Sequence, residues 1–170
     1  QKRFLMPLVE PKGIYGFYSS AFVTRIADLV GGRKCLEIAA GDGTLARFLR
    51  DRGTEIVATD DHSWNHKIRF PAAVMRLDAR SALRQYMPEV VICCWPPAGN
   101  EFERDVFRTG SVNTYIVVGS KHRFASGNWA DYLKQDQFTL RDARDLSALI
   151  VPPEFGAAVH IFERKAKARS

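Results

Sequence analysis

The sequence is short of cysteine. Cys35, Cys93 and Cys94 are all it has, an odd number with two of them adjacent. That excludes a disulfide framework and any metal knuckle built on Cys-x-x-Cys spacing, so metal ligation is not expected. All three lie in apolar stretches, which fits reduced core residues of a cytoplasmic protein. No apolar run approaches the length that spans a bilayer, and no signal-peptide pattern opens the chain, so no membrane association is expected. Repeats, low-complexity tracts and linker-like stretches are also missing. With 170 residues and 46% hydrophobic content, the chain can bury one good core but is too short for two full-sized domains. Residues 1–170 therefore read as a single domain. Because it begins at Gln1 rather than methionine, the numbering is expected to start inside a longer chain.

Charge of one sign is only mildly in excess, at +6. The basic residues are scattered, apart from Lys121-His122-Arg123 and a tail over 164–170. A charge run at a terminus is usually solvated, so nucleic acid is the less favoured partner, behind a small molecule or peptide.

What is present is alternation. After an irregular opening marked by Pro7, Pro11 and Gly13, Ser19-Ser20 precede Phe22, Ile26, Leu29 and Val30, spaced as one face of a helix that Gly31-Gly32 stops. Apolar runs of strand length follow at Lys34–Ala39, Glu55–Thr59, Ala73–Leu77, Val90–Cys94, Thr114–Gly119 and Ala157–Phe162, with a weaker one near Phe138. Helical stretches at Thr44–Asp51, Ser81–Tyr86, Glu101–Arg108 and around Trp129–Lys134 separate them. Continuously apolar strands alternating with helices indicate a parallel sheet covered on both faces. The expected fold is α/β and three-layered, with a mostly parallel sheet of six or seven strands and a last antiparallel strand.

The sharpest feature is Cys35-Leu36-Glu37-Ile38-Ala39-Ala40-Gly41-Asp42-Gly43-Thr44, a glycine-containing turn between the first long strand and its helix. In open α/β sheets, ligands bind beyond the carboxyl ends of the strands. The second strand ends on Asp60, an acid placed to accept both hydroxyls of a ribose, with Asp61 a weaker candidate beside it. A dinucleotide fingerprint would need a third glycine, and Asp42 would repel a pyrophosphate. The turn suits a nucleoside cofactor without phosphates better than a dinucleotide.

These landmarks resemble the class I, Rossmann-like S-adenosylmethionine-dependent methyltransferases. Glu37-x-Ala39-x-Gly41-Asp42-Gly43 is similar to the family's first motif, with Ala39 in place of its first glycine. Asp60 matches the second acid, Asp78 before Ala79 the third, and Cys94-Trp95-Pro96-Pro97 the fourth motif. The match runs in order over roughly residues 14 to 120. It implies S-adenosyl-L-methionine as cofactor. Glu37 would orient the turn and the methionine amino group, Ala39, Gly41 and Gly43 would line the amino-acid and ribose portion, and Asp60 would hold the ribose. Asp78 with Ala79 would meet the adenine, although a helix cap is the plain alternative for Asp78. Residues 1–18, with Tyr15 and Tyr18, would form a lid or arm.

The fourth motif is similar to the Asn/Asp-Pro-Pro-aromatic motif of amino methyltransferases, but Trp95 stands where that family has an acceptor, and Ala98 where it has the aromatic ring. Trp95 is a donor only. Amine chemistry therefore does not carry over, and Trp95 is expected to wall the sulfonium or stack on a flat substrate. After the fifth strand, His122 is a candidate base, with Lys121 or Arg123 holding an acidic substrate. The expected function is methyl transfer to a small, anionic metabolite or peptide. The rival functions are methylation of RNA or other nucleic acid, or a catalytically inactive module of this fold that binds a partner.

Overall fold

The computed structural model describes residues 14–166. The Pro7, Pro11 and Gly13 punctuation, most of the expected arm and the last four residues of the basic tail lie outside them. A short strand β1 (Phe17–Tyr18) leads into helix α1 (Ser20–Val30). The Ser19 hydroxyl caps α1 by accepting the Phe22 N–H at 3.1 Å, and Gly31 ends it at φ 56° with its N–H on the Ala27 carbonyl. The face so fixed buries Phe22, Val23, Ile26 and Val30, and each fully buried side chain of this size stabilises the fold by about 1.5–3 kcal/mol.

Then follow β2 (Cys35–Ile38), α2 (Thr44–Arg50), β3 (Ile56–Asp60), β4 (Val74–Arg76), α3 (Ala79–Tyr86), β5 (Val90–Cys94), α4 (Glu103–Arg108) and β6 (Thr114–Ser120). The chain closes with α5 (Trp129–Lys134), β7 (Phe138–Asp142), α6 (Arg144–Ser147), β8 (Ile150–Val151), a single turn over Pro153–Phe155, and β9 (Ala157–Arg164). Seven strands make one sheet in the order β4-β3-β2-β5-β6-β9-β7. Pairing is parallel from β4 to β6, and β9 runs antiparallel to both β6 and β7. The expected three-layer fold with a final antiparallel strand is the one observed.

Side-chain alternation divides the core. Val90, Ile92, Ile116, Val118 and Ile161 face α1 and α2, whereas Val91, Cys93, Tyr115, Val117 and Phe162 face α3, α4 and α5. Because β2 has β3 on one side and β5 on the other, the chain reverses direction across the sheet at β2. The crevice for a ligand opens there, at the carboxyl ends of β2 and β5.

Three features depart from expectation. The end of the expected lid or arm is anchored as a strand, since β1 pairs antiparallel with β8 (Phe17↔Val151, Tyr18↔Ile150) and Tyr18 stacks on Phe22. The 144–151 stretch, which carried no sequence signal, supplies α6 and that partner strand. Arg164 is not part of a solvated tail: it ends β9, and its guanidinium donates to the carbonyls of Val112 and Thr109 and lies 4.4 Å over the Phe138 ring.

Candidate functional site

Alternate residues of the turn after β2 take left-handed backbone. Ala39, Gly41 and Gly43 have φ of 48°, 56° and 69°. At Gly43 glycine is required twice over, because a Cβ there would sit 2.6 Å from Val74 Cγ2. The turn is held by hydrogen bonds that it donates to the strand beside it. The Ala40 N–H donates to the Thr59 carbonyl at 3.0 Å, and the Gly41 N–H donates to Asp60 Oδ2 at 3.0 Å.

Asp60 is buried at the end of β3, and its other oxygen accepts the His62 N–H at 2.8 Å. Burial raises its carboxyl above the usual aspartate range, while the two N–H donors pull the other way. Two of its roughly four acceptor positions are used, which leaves capacity for a ligand. Asp61 is exposed and accepts the Ser63 N–H. Asp78 is the N-cap of α3, accepting the Ser81 N–H at 3.0 Å, and these hydrogen bonds hold its carboxyl below the ordinary range. It also lines the cleft, as does Ala79. Cap and cleft wall are therefore one residue rather than alternatives.

Glu37 lies underneath. It is fully buried, and its Oε2 accepts the Ala46 N–H at 3.0 Å, pinning the first turn of α2 to β2. Burial pushes its carboxyl up to about 8. The Cys94 thiol and the Tyr18 hydroxyl lie near it, and burial pushes both of those groups up as well. Cys94 is thus a neutral thiol without thiolate reactivity.

The cleft encloses about 970 Å³. It brings together most of the residues singled out in the sequence: Tyr18, Ala39, Gly41, Asp60, Asp61, Asp78, Ala79, Cys94 and Trp95 all line it. Glu37 and Gly43 do not, because they support the turn from behind. His122 does not either. It is exposed and stacked on Phe124, so a base at that residue has no support from its position. Lys121 packs its methylenes toward Gly156, and Arg123 lies 4.4 Å over the Trp129 ring. Both stand on the rim rather than in the wall. Trp64 borders the cleft, whereas His62 stacks on Phe70 at 3.9 Å. Among the described residues no cluster of three or more His, Cys, Asp or Glu has the placement to hold a metal ion, and no helix is long and apolar enough to cross a membrane.

The β5–β6 end has a different character. Trp95 takes φ 54°, a conformation that costs an L residue roughly 1–3 kcal/mol unless its surroundings enforce it. The enforcement is visible: its N–H donates to the Val118 carbonyl, the Pro96 carbonyl accepts from Gly127, and the Gly99 N–H donates to the Gly127 carbonyl. Beneath that zipped loop is a carboxylate that sequence reading missed. Glu103 is completely buried and accepts from four donors, namely the Tyr115 and Tyr132 hydroxyls, Asn100 Nδ2 at 2.6 Å and the Asn128 N–H at 2.9 Å. Its detectable signal was Asn100-x-x-Glu103, the spacing of a reciprocal helix cap.

No family model and no curated protein matches this sequence. Solved structures do. Magnesium protoporphyrin IX methyltransferase from Synechocystis, solved with bound SAM, is 15% identical with a TM-score of 0.55, over 86% of this chain and 77% of that one. The methyltransferase domain of a bacterial Hen1 is 14% identical with a TM-score of 0.56, over 85% and 97%. The tRNA (uracil-54, C5)-methyltransferase of Pyrococcus abyssi, in complex with S-adenosyl-L-homocysteine, is 16% identical with a TM-score of 0.56, over 84% and 37%. At such identities the likeness establishes the fold. This chain has the class I methyltransferase fold.

Proposed function

We propose that this protein transfers the methyl group of S-adenosylmethionine to a small metabolite or peptide that carries an anionic group. The observation that carries the proposal is Asp60, a buried carboxylate at the end of β3, oriented by two backbone N–H groups and facing the cleft beside a tight glycine turn. The chemistry of the surrounding groups fits a sulfonium nucleoside. Asp42, Asp60, Asp61 and Asp78 line this end, and the nearby Arg80 is paired with Asp105 at 2.9 Å. A cation is attracted there, and a diphosphate is repelled.

In this reading Asp60 accepts the ribose hydroxyls, Asp78 with Ala79 borders the adenine, and Gly41 lets the amino-acid portion approach the backbone. Tyr18 and Trp95 close the cleft against water. When bound, the cofactor supplies a methyl group already activated on a sulfonium, so the chain's main work is to hold an acceptor in line and keep it dry. Solved relatives in fold that carry SAM or its product support the cofactor assignment. The test is incubation with methyl-labelled cofactor and a whole-cell extract, followed by mass spectrometry of its small-molecule, peptide and RNA fractions. Label in anionic small molecules is expected. Label in RNA alone, or none, overturns the substrate half of the proposal.

One observation favours RNA as a second reading. Phe124 is 83% exposed between Lys121, His122, Arg123 and the cleft wall, as a base-stacking platform would be. Binding to RNA that falls steeply with salt would support it.

A further inference from the structure

Among the described residues, one of the buried polar side-chain atoms without a hydrogen-bond partner belongs to a residue that lines the cleft: Trp95 Nε1. A buried N–H left unpaired costs about as much as the desolvation of a polar group, so its persistence calls for an acceptor from elsewhere. The ring is held in place by the left-handed backbone of Trp95 and by Tyr15, whose ring centroid is 5.4 Å away. Two hydroxyls share this end of the cleft. Ser120 ends the neighbouring strand β6, and Ser126 faces it across the loop. Ser120 Oγ accepts the His122 N–H at 3.1 Å, and Ser126 Oγ accepts the Ser120 N–H at 2.8 Å. Each oxygen thus accepts one hydrogen bond, and each hydroxyl keeps its own hydrogen to donate.

We infer that Trp95, Ser120 and Ser126 form a donor-lined subsite for an oxyanion of the methyl-accepting molecule, a carboxylate or a phosphate, and that the same subsite disfavours amines. The inference rests on the methyl-transfer reading above and gives that reading its substrate class. Adjacent β5 and β6 bring the three groups together, since Cys94 is in register with Val118 and the Trp95 N–H bonds to the Val118 carbonyl. An ammonium group finds no acceptor in the indole N–H and at most one remaining lone pair on each serine, whereas an oxyanion can accept from all three groups at once through charge-assisted hydrogen bonds. Lys121, His122 and Arg123 on the rim add attraction at longer range. The carboxylates that line the cleft from the adjoining loop and helix are Glu101, which is exposed, and Asp105, which is paired with Arg80. Tyr15, Trp95 and Phe102 around the cleft fit a flat ring attached to that anion.

The test uses isotope-labelled protein and the indole N–H resonances of its three tryptophans, with and without S-adenosylhomocysteine. Benzoate, phenyl phosphate and benzylamine are the probes. The Trp95 resonance is expected to move downfield, saturably at millimolar concentration, with benzoate or phenyl phosphate, and to stay in place with benzylamine. Which of the two anions binds more tightly identifies the natural oxyanion. Trp95→Phe keeps an aromatic side chain without the N–H and should weaken the anion, read by calorimetry, roughly tenfold or more, the loss of one charge-assisted donor. If that variant does not fold, Trp64→Phe and Trp129→Phe assign the Trp95 signal by elimination, and the titration stands without it. A Trp95 signal that no anion moves, or that benzylamine moves equally, overturns the inference. Calorimetry of S-adenosylhomocysteine on the same samples keeps the two readings apart: absent cofactor binding counts against methyl transfer, and a silent Trp95 counts against the subsite.

Discussion

The two ends of the cleft are built from opposite hydrogen-bonding chemistry. At the ends of β2, β3 and β4 the wall offers carboxylates, with Asp60 anchored by the N–H groups of Gly41 and His62. At the ends of β5 and β6 it offers donors, the Trp95 indole and the hydroxyls of Ser120 and Ser126. Each end rests on its own buried acid. Glu37 is satisfied sparsely, by the Ala46 N–H, and burial pushes it up to about 8. Glu103 accepts from four donors and ties α4, β6, α5 and the Pro96–Asn100 loop into one unit. The difference teaches where each end gets its rigidity. The acceptor end is set by backbone conformation, and the donor end by a side-chain network.

If that contrast holds, the largest stability effect belongs to Glu103. Removing its carboxylate in Glu103→Ala strands four donors in a dry interior, and breaking such a buried network costs about 3–5 kcal/mol. The melting temperature should fall by roughly 10 °C. Glu103→Gln, which keeps the shape and some acceptor capacity, should cost clearly less. Equal losses for the two variants would mean that volume rather than the network matters.

Next comes Gly43→Ala, which forces a side chain into φ 69° and against Val74 Cγ2. A loss of about 2–4 kcal/mol is expected in chemical denaturation. A loss below 0.5 kcal/mol would show that the turn is not rigid.

A further effect appears as a pH dependence, and it belongs to Glu37. Folded Glu37 keeps its proton up to about pH 8, whereas an unfolded glutamate loses it near 4.5. The folded state therefore binds more protons in that window, and stability falls as pH rises from about 4.5 to about 8 before levelling off. Glu37→Gln should remove up to roughly 1 kcal/mol per pH unit of that slope. An unchanged slope would place the titration elsewhere. The smallest expected effect is at His122. His122→Ala should shift stability by less than about 0.5 kcal/mol and leave cofactor binding untouched, as befits an exposed side chain on the rim.

Much of this was legible in the sequence, and the reason is local. Strand ends at Ile38, Asp60 and Cys94, and the Gly41-Asp42-Gly43 turn, are short-range signals, so the sheet and the acceptor end followed from them. The donor end was not legible because it depends on pairings across the fold. Ser120 and Ser126 become wall residues only when the loop after β6 folds back on itself, and Glu103 meets Tyr115 and Tyr132 only when helices pack on the sheet. His122 was singled out for its chemistry, but the loop turns it to solvent. Arg164 looked like part of a charged tail because its carbonyl partners, Val112 and Thr109, lie some fifty residues away. The β1–β8 pair, two residues on each side, is too short to show any periodicity.

The central claim, that the acceptor end holds a sulfonium nucleoside through Asp60, is tested most directly by calorimetric titration of S-adenosylhomocysteine into the protein and into Asp60→Ala. The structure predicts one clear site in the unsubstituted protein and a loss of about 2–4 kcal/mol of binding free energy in the variant, the worth of two hydrogen bonds to a charged acceptor. The melting temperature should stay close enough to show that the variant is folded. Absent heat with the unsubstituted protein, or equal affinity in a folded Asp60→Ala, would contradict it.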